Sequence, residues 1–163
     1  MPGTTASRST AVRLISAAAG LLLATALLTG CGTDKRQDFK DDFKPINDRL
    51  LALGTSVGQA VSDAANKPDL VLAGQFTEFA AQLRSLRGRV DDLDAPDDLK
   101  TQTRALSQGL TRLTSDLRNI ANAARDHDAK AARAATVALV RDSQTAGDAR
   151  RALARKTGAR VGP

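Results

Sequence analysis

The sequence predicts an all-α protein, an antiparallel up-down-up-down four-helix bundle. Two observations predict it. Apolar residues recur at alternating spacings of four and three along three long segments, which is the period of one helix face. Three breaks then divide the chain into four stretches of helical length: Asn66-Lys67-Pro68-Asp69, Asp94-Ala95-Pro96-Asp97-Asp98 and Asp126-His127-Asp128. Each break holds Pro or paired Asp, the residues of helix starts and turns. The stripes also admit a second architecture, a long helical hairpin or a three-helix coiled coil.

The first helix is expected over 36–66, with its stripe running from Phe39 through Phe43, Ile46, Leu50, Leu53 and Val57 to Ala64. Pro45 falls inside it and predicts a kink or a fresh start. Gly54 and Gly58 weaken it and suit a close helix contact. The second helix is expected over 69–93, striped by Leu72, Phe76, Phe79, Leu83, Leu86 and Val90. Arg84, Arg87 and Arg89 lie off that stripe, toward water. Pro96 with Asp97 and Asp98 suits the first turn of a third helix over 96–125, because acids complement the positive helix end. The fourth helix, 129–157, is Ala-rich, with Val137, Leu139, Val140 and Leu153 as its large apolar residues and Asp128 as its N-cap. Alanine favours helix but packs little, so this helix is expected either to lie close to its neighbours or to be the loosest element. Residues 158–163 read as a disordered tail.

Composition narrows the function. Aromatic residues make up 2% of the chain, with no Trp or Tyr, so surfaces that stack bases or sugars are excluded. The formal charge of +6 is unevenly spread. Residues 32–100 carry 10 bases against 13 acids, and residues 101–163 carry 12 bases against 5 acids. The basic surplus therefore belongs to the C-terminal half. Cys31 is the one cysteine, so no intramolecular disulfide can form.

The first residues carry Arg8 and Arg13, and Leu14 to Gly30 follow as 17 residues without a charge. A spanning helix needs about 20 apolar residues. The order of basic, apolar and small residues is that of a signal peptide over 1–30. Leu28-Thr29-Gly30-Cys31 resembles the lipobox of bacterial lipoproteins. That resemblance implies cleavage between Gly30 and Cys31, and a diacylglycerol and acyl lipid on Cys31. It implies a protein lipid-anchored at the extracytoplasmic face of the cell membrane, with 31–35 as a short tether. The stretch from Leu93 to Leu153 is similar to uncharacterised actinobacterial lipoproteins, which share a Leu-x-x-Pro-x-x-Leu start, here Leu93, Pro96 and Leu99. No catalytic or binding residue carries over from that likeness.

Candidate chemistry is sparse. His127 is the one histidine and lies between Asp126 and Asp128, but a stable metal site needs three or four ligands. It reads as a solvated turn. Haem needs axial His or Met, and a di-iron bundle needs inward Glu, of which the chain has only Glu78. Asp91/Asp92 and Asp97/Asp98 could be acid–base pairs but match helix-end needs. No nucleophile motif or phosphate loop occurs. The expectation is no enzyme, no metal and no cofactor beyond the lipid.

Arg150, Arg151, Arg155, Lys156 and Arg160 form a basic C-terminal cluster. In a four-helix bundle it returns to the lipid-anchored end, where it would meet an anionic surface, either lipid or a cell-wall polymer. The function expected is a non-catalytic binding or scaffolding module of the cell envelope, with an envelope protein as partner and no role on nucleic acid. The alternative is a small-ligand carrier or sensor with a cavity between the helices.

Overall fold

A computed structural model describes residues 30–162, with side chains from Lys35 onward. The signal segment, its cleavage and the lipidation of Cys31 fall outside the residues and side chains described. Four helices follow one another: α1 (Gly30–Ser62), α2 (Asp69–Asp91), α3 (Lys100–Arg125) and α4 (Ala129–Thr157), with one 3₁₀ turn (Ala64–Asn66) after α1. Among the described residues there is no strand, and no helix is long and apolar enough to cross a membrane. The short turns make sequential helices antiparallel, as the stripes predict.

The apolar stripes face one core. Phe39 and Phe43 stack with ring centroids 5.9 Å apart, while Phe76 and Phe79 meet edge to face at 6.1 Å. Leu106, Leu117 and Leu99 of the third segment and Leu153 of α4 are fully enclosed among them. The helix α1 runs unbroken through Pro45, where the sequence predicts a kink or restart. Proline removes a single N–H from the ladder, and burial of Phe43 and Ile46 on either side holds the helix together. The expected tether at 31–35 lies inside α1, which begins at Gly30.

The end turns follow local chemistry. Asp128 accepts from the Lys130 and Ala131 amides at 3.0 and 2.9 Å, the N-cap the sequence predicts for α4. His127 just before it has a φ of 53°, and the Asp128 amide reaches back to the Ala123 carbonyl at 2.9 Å. That is a Schellman close of α3, with His127 in the left-handed position that usually belongs to Gly. The start of α3 falls at Lys100 rather than 96, because residues 97–99 form a separate turn on the Pro96 carbonyl.

The bundle is not evenly packed. Along most of their lengths α2 packs on α3 and α3 on α4, while α1 is held more loosely against α2 and α4. The two helices α3 and α4 come close at Gly109, where an added Cβ would lie 2.8 Å from the Ala146 Cβ. Small residues on both sides bring α4 close to α3, so the Ala-rich helix is not the loosest element. Of its four large apolar residues, Val137 and Val140 are 71% and 55% exposed, and Leu139 and Leu153 are buried.

The C-terminal residues also differ from expectation. Residues 158–162 are ordered against the bundle rather than disordered. Gly158 takes a φ of 69°, and the Ala159 amide bonds the Ala154 carbonyl at 3.0 Å, a second Schellman close. The chain then folds back on α1: Ala159 is buried, Asn47 Nδ2 donates to the Arg160 carbonyl at 2.9 Å, and Gly162 rests on Leu51.

Candidate functional site

Between α1 and α4 lies a cleft of about 960 Å³. It exists because the facing side chains are small. Gly54 and Gly58 give α1 no side chain there, and no atom lies within 4 Å of where either Cβ would stand. Across from them α4 presents Ser143, Ala146 and Gly147. The close helix contact expected at Gly54 and Gly58 is thus absent; the two glycines widen a gap instead. Leu106, Leu110, Leu113 and Leu117 of α3 form the floor, and Leu50, Leu53 and Val57 form the α1 wall. Leu113 and Val57 are only partly buried, as residues beside an open groove should be.

One end of the cleft is polar. There Asp48 from the middle of α1, Arg150 and Arg151 from the last third of α4 and Arg160 from the returning tail reach the lining. Arg150 is 8% exposed. Its Nη1 donates to Asn47 Oδ1 at 3.0 Å and its Nη2 to the Val161 carbonyl at 2.7 Å. Asn47 is wholly buried and joins the tail to α4 through these bonds. Burial, and after it the like charge of Arg151, pull the Arg150 guanidinium below its ordinary pKa. No carboxylate among the described residues pairs with it. Arg151 pairs with Asp148 at 2.7 Å on the surface.

The predicted basic cluster is therefore divided. Arg150 is inside and cannot meet a surface, because it anchors the returning tail. Arg155, Lys156 and Arg160 are exposed. Lys156 Nζ donates to the Asp98 carbonyl at 3.3 Å, which places the end of α4 beside the turn before α3. The start of α1 meets the same turn through Lys35–Asp94 and Arg36–Asp98 at 2.9 and 2.8 Å. The hydrogen bond from Arg36 is the largest influence holding the Asp98 carboxyl below its usual range.

The remaining candidates take structural places. His127 Nδ1 lies 2.6 Å from Asp69 Oδ2. Asp91 pairs with Arg87 at 2.9 Å and accepts from Ser107, and Asp97 pairs with Lys100 at 2.7 Å. Among the described residues no three His, Cys, Asp or Glu side chains gather into a metal-binding group.

Two features escape a reading of apolar stripes alone. One is the Asn47–Arg150 pair. The other is Asp116 of α3, 7% exposed, whose Oδ2 has no hydrogen-bond partner. Burial, and then the neighbouring Asp142 carboxylate, push the Asp116 carboxyl upward. The signal for both lies in α4. Extending its inner stripe from Leu139 to Leu153 at steps of three and four passes through Asp142, Ala146 and Arg150.

Compared with protein-family models, with curated proteins and with solved structures, the chain matches none.

Proposed function

We propose that this chain is a non-catalytic binding module that holds an apolar ligand in the cleft between α1 and α4, carried at the extracytoplasmic face of a membrane by lipid on Cys31. The observation that carries the reading is the cleft itself. A volume of about 960 Å³ is at the upper end of what small-molecule sites occupy. The floor and the α1 wall are leucine and valine, so a ligand there gains by leaving water. The membrane placement rests on the lipobox resemblance of residues 28–31.

The test is saturation binding of an uncharged fluorescent probe, N-phenyl-1-naphthylamine, to the purified protein. The native chain is expected to saturate at one probe per chain. Gly58→Leu adds a side chain at the cleft wall, with its Cβ clear of any neighbour, and is expected to weaken the probe about tenfold, the effect of losing roughly 1.4 kcal/mol of contact. A native chain that never saturates would sink this reading and leave the scaffold.

A further inference from the structure

We propose that the cleft takes a single-chain anionic amphiphile, a long-chain fatty acid, with its carboxylate at the Arg150–Arg151–Arg160 end and its alkyl chain along the leucines of α1 and α3. This rests on the cleft being a ligand site and adds the class of ligand and its direction.

Three observations carry it. First, polarity is segregated along the cleft. The arginines and Asp48 occupy one end, and beyond them the α1 wall runs from Leu50 to Val61 without a charge. Those 11 steps span about 17 Å at 1.5 Å per residue, a groove shaped for an extended chain with one charged end.

Second, the charge there is out of balance. Three guanidinium groups line that end against one carboxylate, Asp48. The Asp148 carboxylate that pairs with Arg151 is 76% exposed, and such surface pairs are weak enough to be exchanged.

Third, Arg150 is buried with neutral acceptors only, Asn47 Oδ1 and the Val161 carbonyl. A desolvated cation without a counter-ion is strongly unfavourable. An anion arriving at that end removes the imbalance. A guanidinium also matches a carboxylate as a planar fork. An uncharged chain leaves the imbalance in place, and a cationic one worsens it.

The experiment titrates the purified protein with three probes of equal chain length: laurate, 1-dodecanol and dodecyltrimethylammonium. Laurate is expected to bind at least about tenfold more tightly than dodecanol, with the cation weakest, as one charge-assisted contact would give. Raising the salt should erode that preference. The double substitution Arg151→Gln/Arg160→Gln leaves the Asn47–Arg150 contact in place and should narrow the laurate-to-dodecanol ratio about tenfold. Equal affinity for all three probes overturns the anionic assignment while the cleft stands as an apolar site. A laurate preference undiminished by the double substitution overturns the position of the head. Binding of none of the three overturns this inference and the ligand-binding function together.

Discussion

Asp128 and His127 share the turn between α3 and α4, and their contributions differ in sign. Asp128 satisfies two amides at the start of α4. Asp128→Ala should cost about 1 kcal/mol, measured by urea unfolding. His127 holds a left-handed backbone that costs an L-residue about 1 kcal/mol. Its contact with Asp69 is made between exposed groups and contributes little. His127→Gly should therefore leave stability unchanged or raise it by up to about 1 kcal/mol, and a loss of stability would give the imidazole a larger role. Asp116 gives a pH-dependent test. Its folded pKa lies above the unfolded value of about 3.9, because burial and Asp142 oppose its charge, with Arg141 and Arg112 acting the other way. The folded state thus holds that proton more tightly than the unfolded one. The resulting stability is present in full below the unfolded pKa and is lost as pH rises through the folded one. At pH 7 Asp116 is a net cost, and Asp116→Asn should stabilise by about 1 kcal/mol there, with the gain shrinking toward pH 4. A gain independent of pH would assign the effect to shape instead. Asp128 was legible from its place before an Ala-rich run. Asp116 and Arg150 were not, since a charged residue on an inner stripe reads as solvated until the partner helix is in place.

At the scale of helices, the bundle contrasts a closed seam with an open one. The α3–α4 seam closes on Gly109, where a Cβ would stand 3.0 Å from the Ala146 Cα, a backbone atom that cannot turn aside. Gly109→Ala should cost about 1–3 kcal/mol despite alanine's better helix propensity. Gly54→Ala and Gly58→Ala point into open space and should each gain up to about 1 kcal/mol, from propensity alone. Calorimetric melting of the three variants separates the two seams; equal gains at all three would mean that α3 and α4 do not approach so closely. The sequence shows glycines inside all four helical patterns and cannot tell which one meets a neighbour. A glycine's meaning is set by the helix opposite, and helix pairing is not encoded in one stripe. The bounds of α4 were legible to the residue, 129–157, because a capping Asp and a closing Gly bracket it. The same Gly158 announced an ordered turn, which the Gly and Pro of the short tail after it obscured.

For the whole molecule, four helices were legible because each stripe repeats at helical period and Pro or paired Asp interrupts it. The even number has a consequence: the end of α4 returns to the start of α1, and Arg36 and Lys156 meet on Asp98. If lipid on Cys31 holds that end at a bilayer, Arg155 and Lys156 face it as well. The magnitudes assign the roles. Lys35, Arg36 and Lys100 are each paired with an Asp of the same turn, whereas Arg155 and Lys156, in the last turn of α4, have no carboxylate partner among the described residues. Two cations contribute about 2 kcal/mol at an anionic surface, whereas each buried CH₂ of a lipid contributes about 0.8 kcal/mol. The acyl chains would therefore supply the attachment and the basic pair only the orientation. A lipid-free chain carrying Cys31→Ser should thus prefer phosphatidylserine vesicles over phosphatidylcholine ones by about 30-fold at low salt, the equivalent of those 2 kcal/mol. Raising the salt toward 1 M, where the Debye length falls to about 3 Å, should erode the preference. Arg155→Gln/Lys156→Gln should remove most of it, because Arg150 and its contact with Asn47 lie inside and add nothing to the surface. Co-sedimentation of both chains with the two vesicle types reads this directly. A preference that persists in the double variant would locate the basic surface elsewhere on the bundle, and the returning end of α4 would then have no part in how the molecule sits.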